Sequence, residues 1–274
     1  MTDWRENPLL RRELLYRLRP QPSHRLLILL VVVFCLVAVV LFYWAALQNI
    51  RYPEGFRDLL IGTLIVEMLL VAAGAPAATA NAVSKEREQR TWDLLAVTLL
   101  SPREVVLGKL LGRMLPLLLI LVLGLPMVVL CVLGNSALWL SALLGTLSVL
   151  VTLVLYSTGG LAASCFSRKT VTATVIAYLF VGAWVFGTLI LWGLTSLILP
   201  SISSREATFW LTVNPFAVIE PIATKFYPRS TYSSSYQGDA LYVLSPWVLL
   251  IVYGGLTVVL IWVLIRTYRY WAYQ

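Results

Sequence analysis

From Met114 to Ser167 the chain runs for 54 residues without a single Asp, Glu, Lys or Arg. As one helix that run would be ~80 Å long against a bilayer hydrocarbon core of about 30 Å, so it must cross a membrane twice. Gly134-Asn135-Ser136 supplies the turn between the two passes. The same criterion predicts six spans, at about 26–47, 59–83, 105–133, 137–166, 171–199 and 246–265. Only helices satisfy every backbone donor within lipid, and runs of this length do not resemble the alternating ten-residue strands of a barrel. Hydrophobic residues at 59% and charged residues at 12% exclude an ordinary soluble domain. The expected fold is an all-α membrane protein of six transmembrane helices, forming one domain over residues 1–274.

The charges that remain are unevenly spread. The N-terminal tail, the segment 84–113, the 167–170 turn and the C-terminal tail carry sixteen Lys and Arg, against five in the alternate loops. That asymmetry places both termini and the 84–113 segment in the cytoplasm. It also explains the net charge of +8 as a topology signal, so no nucleic-acid partner is expected. The first apolar run follows a basic tail and lacks a small-residue cleavage site, so no removable signal peptide is read. Cys35, Cys131 and Cys165 fall inside spans at different depths, as small packing residues and not as a disulfide or metal set.

Segment 84–113 is a dense island of alternating charge between long uncharged runs. Its basic residues are Lys85, Arg87, Arg90, Arg103, Lys109 and Arg113, and its acids are Glu86, Glu88, Asp93 and Glu104. Ser101-Pro102-Arg103-Glu104 has the form of a capping box with proline at the first helical position, which starts the third span. Thr91 caps a short amphipathic turn carrying Trp92, Leu94 and Leu95. The island therefore presents a short surface helix, fit either to dock a soluble partner or to serve as a solvated loop.

Residues 7–19 form a second surface helix, started by Asn7-Pro8, with Leu10, Leu14 and Leu18 on one stripe amid arginines. The run Ala72 to Ala80 allows close helix approach, with a kink at Pro76; Gly108 and Gly112, with Pro116 and Pro126, repeat the theme in the third span. Glu67 is the charged residue placed deep in a span, and it should face protein or water. It is either a contact in a translocation pathway or a protonated or hydrogen-bonded packing group. Residues 200–245 form one long external segment whose part from Thr208 to Phe226 is too broken for a span, as short external helices dipping towards the bilayer would be. Tyr43, Trp44, Trp139 and Trp247 mark one interface, and Tyr268, Tyr270 and Trp271 the other.

Catalytic chemistry is not legible. His24 is the one histidine, and there is no nucleophile elbow and no Cys pair at ligand spacing. Gly108-Lys109 fails as a phosphate loop because Arg103 stands where the first glycine belongs. The chain is expected not to be an enzyme, and any energy for work must come from outside it.

Taken together these motifs resemble those of the permease subunits of type-2 ABC transporters, the export-type family. The matching residues are the Asn7-Pro8 helix, Glu86-Arg87-Glu88 leading to Thr91-Trp92-Asp93-Leu94-Leu95, the run from Leu100 to Leu110, and Asn214-Pro215-Phe216. Ser164 with Arg168-Lys169-Thr170 is a weaker fifth match. The chain departs from the pattern at Arg90, where glycine is common, and at Leu99, where proline is common. The resemblance implies a multi-pass permease of a prokaryotic plasma (inner) membrane, paired with a second permease copy or a homologous permease. It implies two cytoplasmic ATPase subunits that carry ATP and Mg, with no cofactor in this chain. It also implies that Glu86, Arg87, Glu88, Arg90, Thr91, Trp92, Asp93, Leu94 and Leu95 form a coupling helix on the ATPase, with Trp92 as its anchor. The alternative is a membrane anchor or assembly protein that docks a soluble partner on 84–103 and transports nothing. The substrate stays open among lipids, drugs, peptides and cations.

Overall fold

A computed structural model describes residues 55–90, 101–198, 210–225 and 246–268. The expected interfacial helix at 7–19, the first span, the Thr91–Leu95 turn and residues 226–245 lie outside the described residues. The described chain is helical, in the order α1 (Gly55–Thr79), α2 (Ser84–Glu88), α3 (Pro102–Gly134), a 3₁₀ turn (Ser136–Leu138), α4 (Trp139–Phe166), α5 (Thr170–Ile198), α6 (Ile219–Lys225) and α7 (Pro246–Arg266). Among the described residues five helices are long and apolar enough to cross a membrane: α1 continued through α2, α3, α4 with its leading 3₁₀ turn, α5 and α7.

Local chemistry sets the helix ends. The Ser101 hydroxyl accepts from the Glu104 amide, and the Glu104 carboxylate accepts from the Ser101 amide at 2.8 Å, with Pro102 in the first turn. Such a cap contributes about 0.5–2 kcal/mol and fixes where α3 begins. At its far end the chain turns through Asn135, whose amide donates to the Cys131 carbonyl and whose side-chain oxygen accepts from the Ala137 amide. The 54-residue uncharged run is thus two helices broken where the glycine-asparagine turn was expected.

Helix α4 is the centre of the bundle, with α1, α3, α5, α6 and α7 packed around it. Four of its hydroxyls, on Thr146, Ser148, Thr152 and Thr158, bond back to carbonyls four residues earlier on the same helix, so they cost little in apolar surroundings. Close approach to α1 depends on Gly160. A Cβ there would overlap the Thr79 hydroxyl and stand 3.4 Å from the Pro76 backbone. One face of the small-residue run (Ala75, Pro76, Thr79, Ala80) is buried within the chain itself. In contrast α3, α5 and α7 expose large apolar side chains, among them Leu123, Leu179, Phe186, Ile251 and Val258. Faces of that extent suit lipid contact and not water.

Candidate functional site

The described part of the charged island is built into the bundle. After α1 ends at Thr79, four residues turn the chain through a hydrogen bond from the Ala82 amide to the Thr79 carbonyl. That turn leaves the amides of Val83 and Ser84 without helical partners on α1. The Ser164 hydroxyl oxygen, on α4, accepts from both at 2.9 and 3.0 Å. The Ser84 hydroxyl donates to the Ala80 carbonyl, and Ser84 and Ser164 are fully buried. A single α4 hydroxyl thereby completes the backbone of the turn, where unsatisfied buried amides would each cost about 1–3 kcal/mol.

Helix α3 supplies two cations to the same joint. Lys109 is 1% exposed; its ammonium donates to the Ala82 carbonyl at 3.1 Å and lies 2.7 Å from a Glu86 carboxylate oxygen. One turn along, the Arg113 guanidinium donates to the Asn81 side-chain oxygen. The remaining contacts are nearer solvent. Arg87 donates to the Ser167 carbonyl at 3.2 Å, and the Glu88 carboxylate accepts from the Thr170 amide at 2.8 Å and the Thr170 hydroxyl at 2.6 Å. Those two bonds, the hydroxyl's foremost, hold the Glu88 carboxyl below its ordinary value. Glu88 thus closes the N-terminal turn of α5 from outside, where a carboxylate is favoured.

Of the residues expected to contact a partner, Glu86, Arg87, Glu88 and Arg90 are described, and Thr91, Trp92, Asp93, Leu94 and Leu95 lie outside the described residues. Glu86 and Arg87 turn their charges onto the chain's own helices, while Glu88 and Arg90 are exposed. Arg90 has a φ of 55°, the left-handed region that favours glycine. Lys109 and Arg113, counted in the sequence as charges of a surface segment, are buried against the 81–86 turn. Gly108 and Gly112 preceding them at the same spacing of four were the signal that this face of α3 packs closely. Ser164 and Thr170, remote from the island in sequence, meet it in space.

Glu67 stands at the midpoint of α1, 5% exposed, and faces protein. Its carboxyl lies against Gly124 of α3, where a Cβ would overlap it, and Oε1 has no hydrogen-bond partner among the described residues. At the opposite end of the bundle from the island, Asn214 is buried and donates to the Val185 carbonyl and the Thr188 hydroxyl. Its side-chain oxygen accepts from the Phe216 and Ala217 amides. Tyr253 accepts from the Trp184 indole at 2.7 Å and donates to the Val213 carbonyl, and Ser141 donates to the Ile222 carbonyl. These bonds seat residues 210–225 on α4, α5 and α7. Among the described residues no group of three or more His, Cys, Asp or Glu is placed to hold a metal ion. No protein-family model and no curated protein matches the chain.

Proposed function

We propose that this chain is the permease subunit of an ATP-driven transporter, an exporter by its resemblance, worked by separate cytoplasmic ATPase subunits that carry ATP and Mg. The observation behind the reading is the polar joint. Residues 81–88 are fastened to α3, α4 and α5 through Lys109, Arg113, Ser164, Ser167 and Thr170, so a push on the island is delivered to three helices at once. A loop that served only to keep positive charge on one side of a membrane has no need of a buried cation or of a hydroxyl that completes its backbone. On this reading Glu86 to Leu95, within the 84–103 loop, make the coupling contact with the ATPase, the joint faces the cytoplasm of a prokaryotic cell, and the opposite cluster around Asn214 faces outward. A second permease copy or a homologous permease completes the pathway.

The test is isolation of the complex from native membranes. Co-purification with an ABC-type ATPase whose hydrolysis responds to this chain supports the proposal, and a complex without any nucleotide-binding subunit overturns it. A co-purified ATPase with no transport in proteoliposomes would instead mark the chain as an anchor docking a partner through 84–103.

A further inference from the structure

Three side chain–glycine contacts run along the seam between α1 and α3. Phe56 lies on Gly134 at one end, Leu117 on Gly74 at the other, and Glu67 on Gly124 between them. The outer two are apolar, as a lipid-embedded seam favours. The middle one places a carboxyl where an apolar side chain would pack at no electrostatic cost. An ionised carboxylate without a partner at this depth is costly, and the usual remedies are a neighbouring cation, water or a proton. Helices α4 and α5 carry no Asp, Glu, Lys or Arg, and their tyrosines, Tyr156 and Tyr178, are the titratable phenols on that side. On α3, Arg113 stands about three helical turns from Gly124 and bonds to Asn81 at the charged end, and Cys131 lies beyond Gly124 the other way. On α6, Glu220 is exposed. Nor is there space for a bulky cation between Oε1 and α3 at Gly124, since even a methyl group on Gly124 would overlap the carboxyl.

We propose that Glu67 is an intramembrane proton-binding site: the closed α1–α3 seam holds it as the neutral acid, and it exchanges its proton when the two helices part to admit water. A proton adds no bulk to a carboxyl packed this closely on Gly124. The assignment is independent of what docks at the charged end.

The test is carbodiimide labelling of the full-length chain in lipid vesicles, read by peptide mass spectrometry. An acid adds across one C=N bond of the reagent, its oxygen to carbon and its proton to nitrogen. The adduct then rearranges to a stable N-acylurea with no leaving group. A membrane-soluble carbodiimide should label Glu67, and the label should be lost in Glu67→Gln. A water-soluble one should label Asp58, which is exposed, and leave Glu67 untouched. Labelling of Glu67 by the water-soluble reagent alone, or by neither, overturns the proposal. Infrared spectroscopy of the unsubstituted protein supplies a second reading that needs no variant. A protonated-carboxyl stretch that shifts slowly in deuterated buffer is expected, and its absence overturns the proposal even if labelling succeeds.

Discussion

Replacing Lys109 with methionine keeps the aliphatic stem and removes the charge at the most buried cation of the joint. Two contacts are lost at once: the ion pair with the Glu86 carboxylate at 2.7 Å and the hydrogen bond to the Ala82 carbonyl at 3.1 Å. Removing one member of a buried ion pair costs about 3–5 kcal/mol when the other charge is left with no solvent. The Glu86 side chain keeps 19% of its exposure, so water recovers part of that, and about 2–3 kcal/mol is the appropriate share. The orphaned carbonyl adds about 1 kcal/mol, for a total of about 3–4 kcal/mol. The assay is unfolding of the full-length chain in mixed micelles followed by tryptophan fluorescence, for the parent, Lys109→Met, Glu86→Gln and the double variant. The double variant should be less destabilised than the sum of the singles, with a coupling of about 1.5 kcal/mol or more, because each single change already removes the Lys109–Glu86 contact. If Lys109→Met lies within about 0.5 kcal/mol of the parent, or the two changes simply add, the pair does not hold the joint together.

Ser164→Ala removes the acceptor of two buried amides and should cost about 2–4 kcal/mol in the same titration; a loss under about 0.5 kcal/mol would show that the 80–84 turn does not need it. Arg90→Gly relieves a left-handed φ and should leave the chain as stable or raise it by about 1 kcal/mol, whereas Arg90→Val should lower it, as read by protease resistance around the island. Asn214→Ala strips hydrogen bonds from both sides of the Asn-Pro-Phe turn and should speed amide hydrogen exchange across 210–225 while leaving 81–88 unchanged. The Glu88–Thr170 contact has a defined pH window. Its carboxyl is depressed in the folded chain, so its stabilisation is full above the ordinary glutamate value of about 4.3 and fades as pH falls through the lower folded value. Hydrogen exchange at the Thr170 amide should therefore accelerate at acid pH in the parent beyond the intrinsic trend, and Glu88→Gln should abolish that excess.

Span positions were legible because lipid imposes length and apolarity directly on the sequence. The expected 137–166 and 171–199 runs appear as Trp139–Phe166 and Thr170–Ile198, and 246–265 as Pro246–Arg266. The start of α3 was legible for a different reason: a capping box is made by residues three apart, so its geometry is local. The end of α1 was not. Ala80, Asn81, Ala82 and Val83 continue the apolar pattern well enough to extend the span to 83, yet the helix stops at Thr79. What stops it is tertiary, since Ser164 and Lys109 receive the turn's amides and carbonyl from other helices. The same blindness applies to Lys109 and Arg113, whose partners stand on a different element. A charge beside other charges reads as surface when its partner is not visible in the pattern. Glu67 was legible as an acid that must face protein or water, but not as one packed on a glycine of α3.

The two polar clusters are fastened to the same helix. Ser164 on α4 takes the amides of the charged turn, and Ser141, about 35 Å away along α4, donates to Ile222 in the opposite segment. No proline interrupts α4, whereas α1 contains Pro76 and α3 contains Pro116 and Pro126. A continuous helix with a full hydrogen-bond ladder resists bending more than one with missing donors, so α4, like the proline-free α5, is stiffer than α1 and α3. The contacts at the charged end are graded as well. Lys109 and Ser164 are buried, while Glu88 and its bonds to Thr170 are exposed, and exposed polar contacts contribute least. The contact with α5 is therefore the weakest of the three that hold residues 81–88.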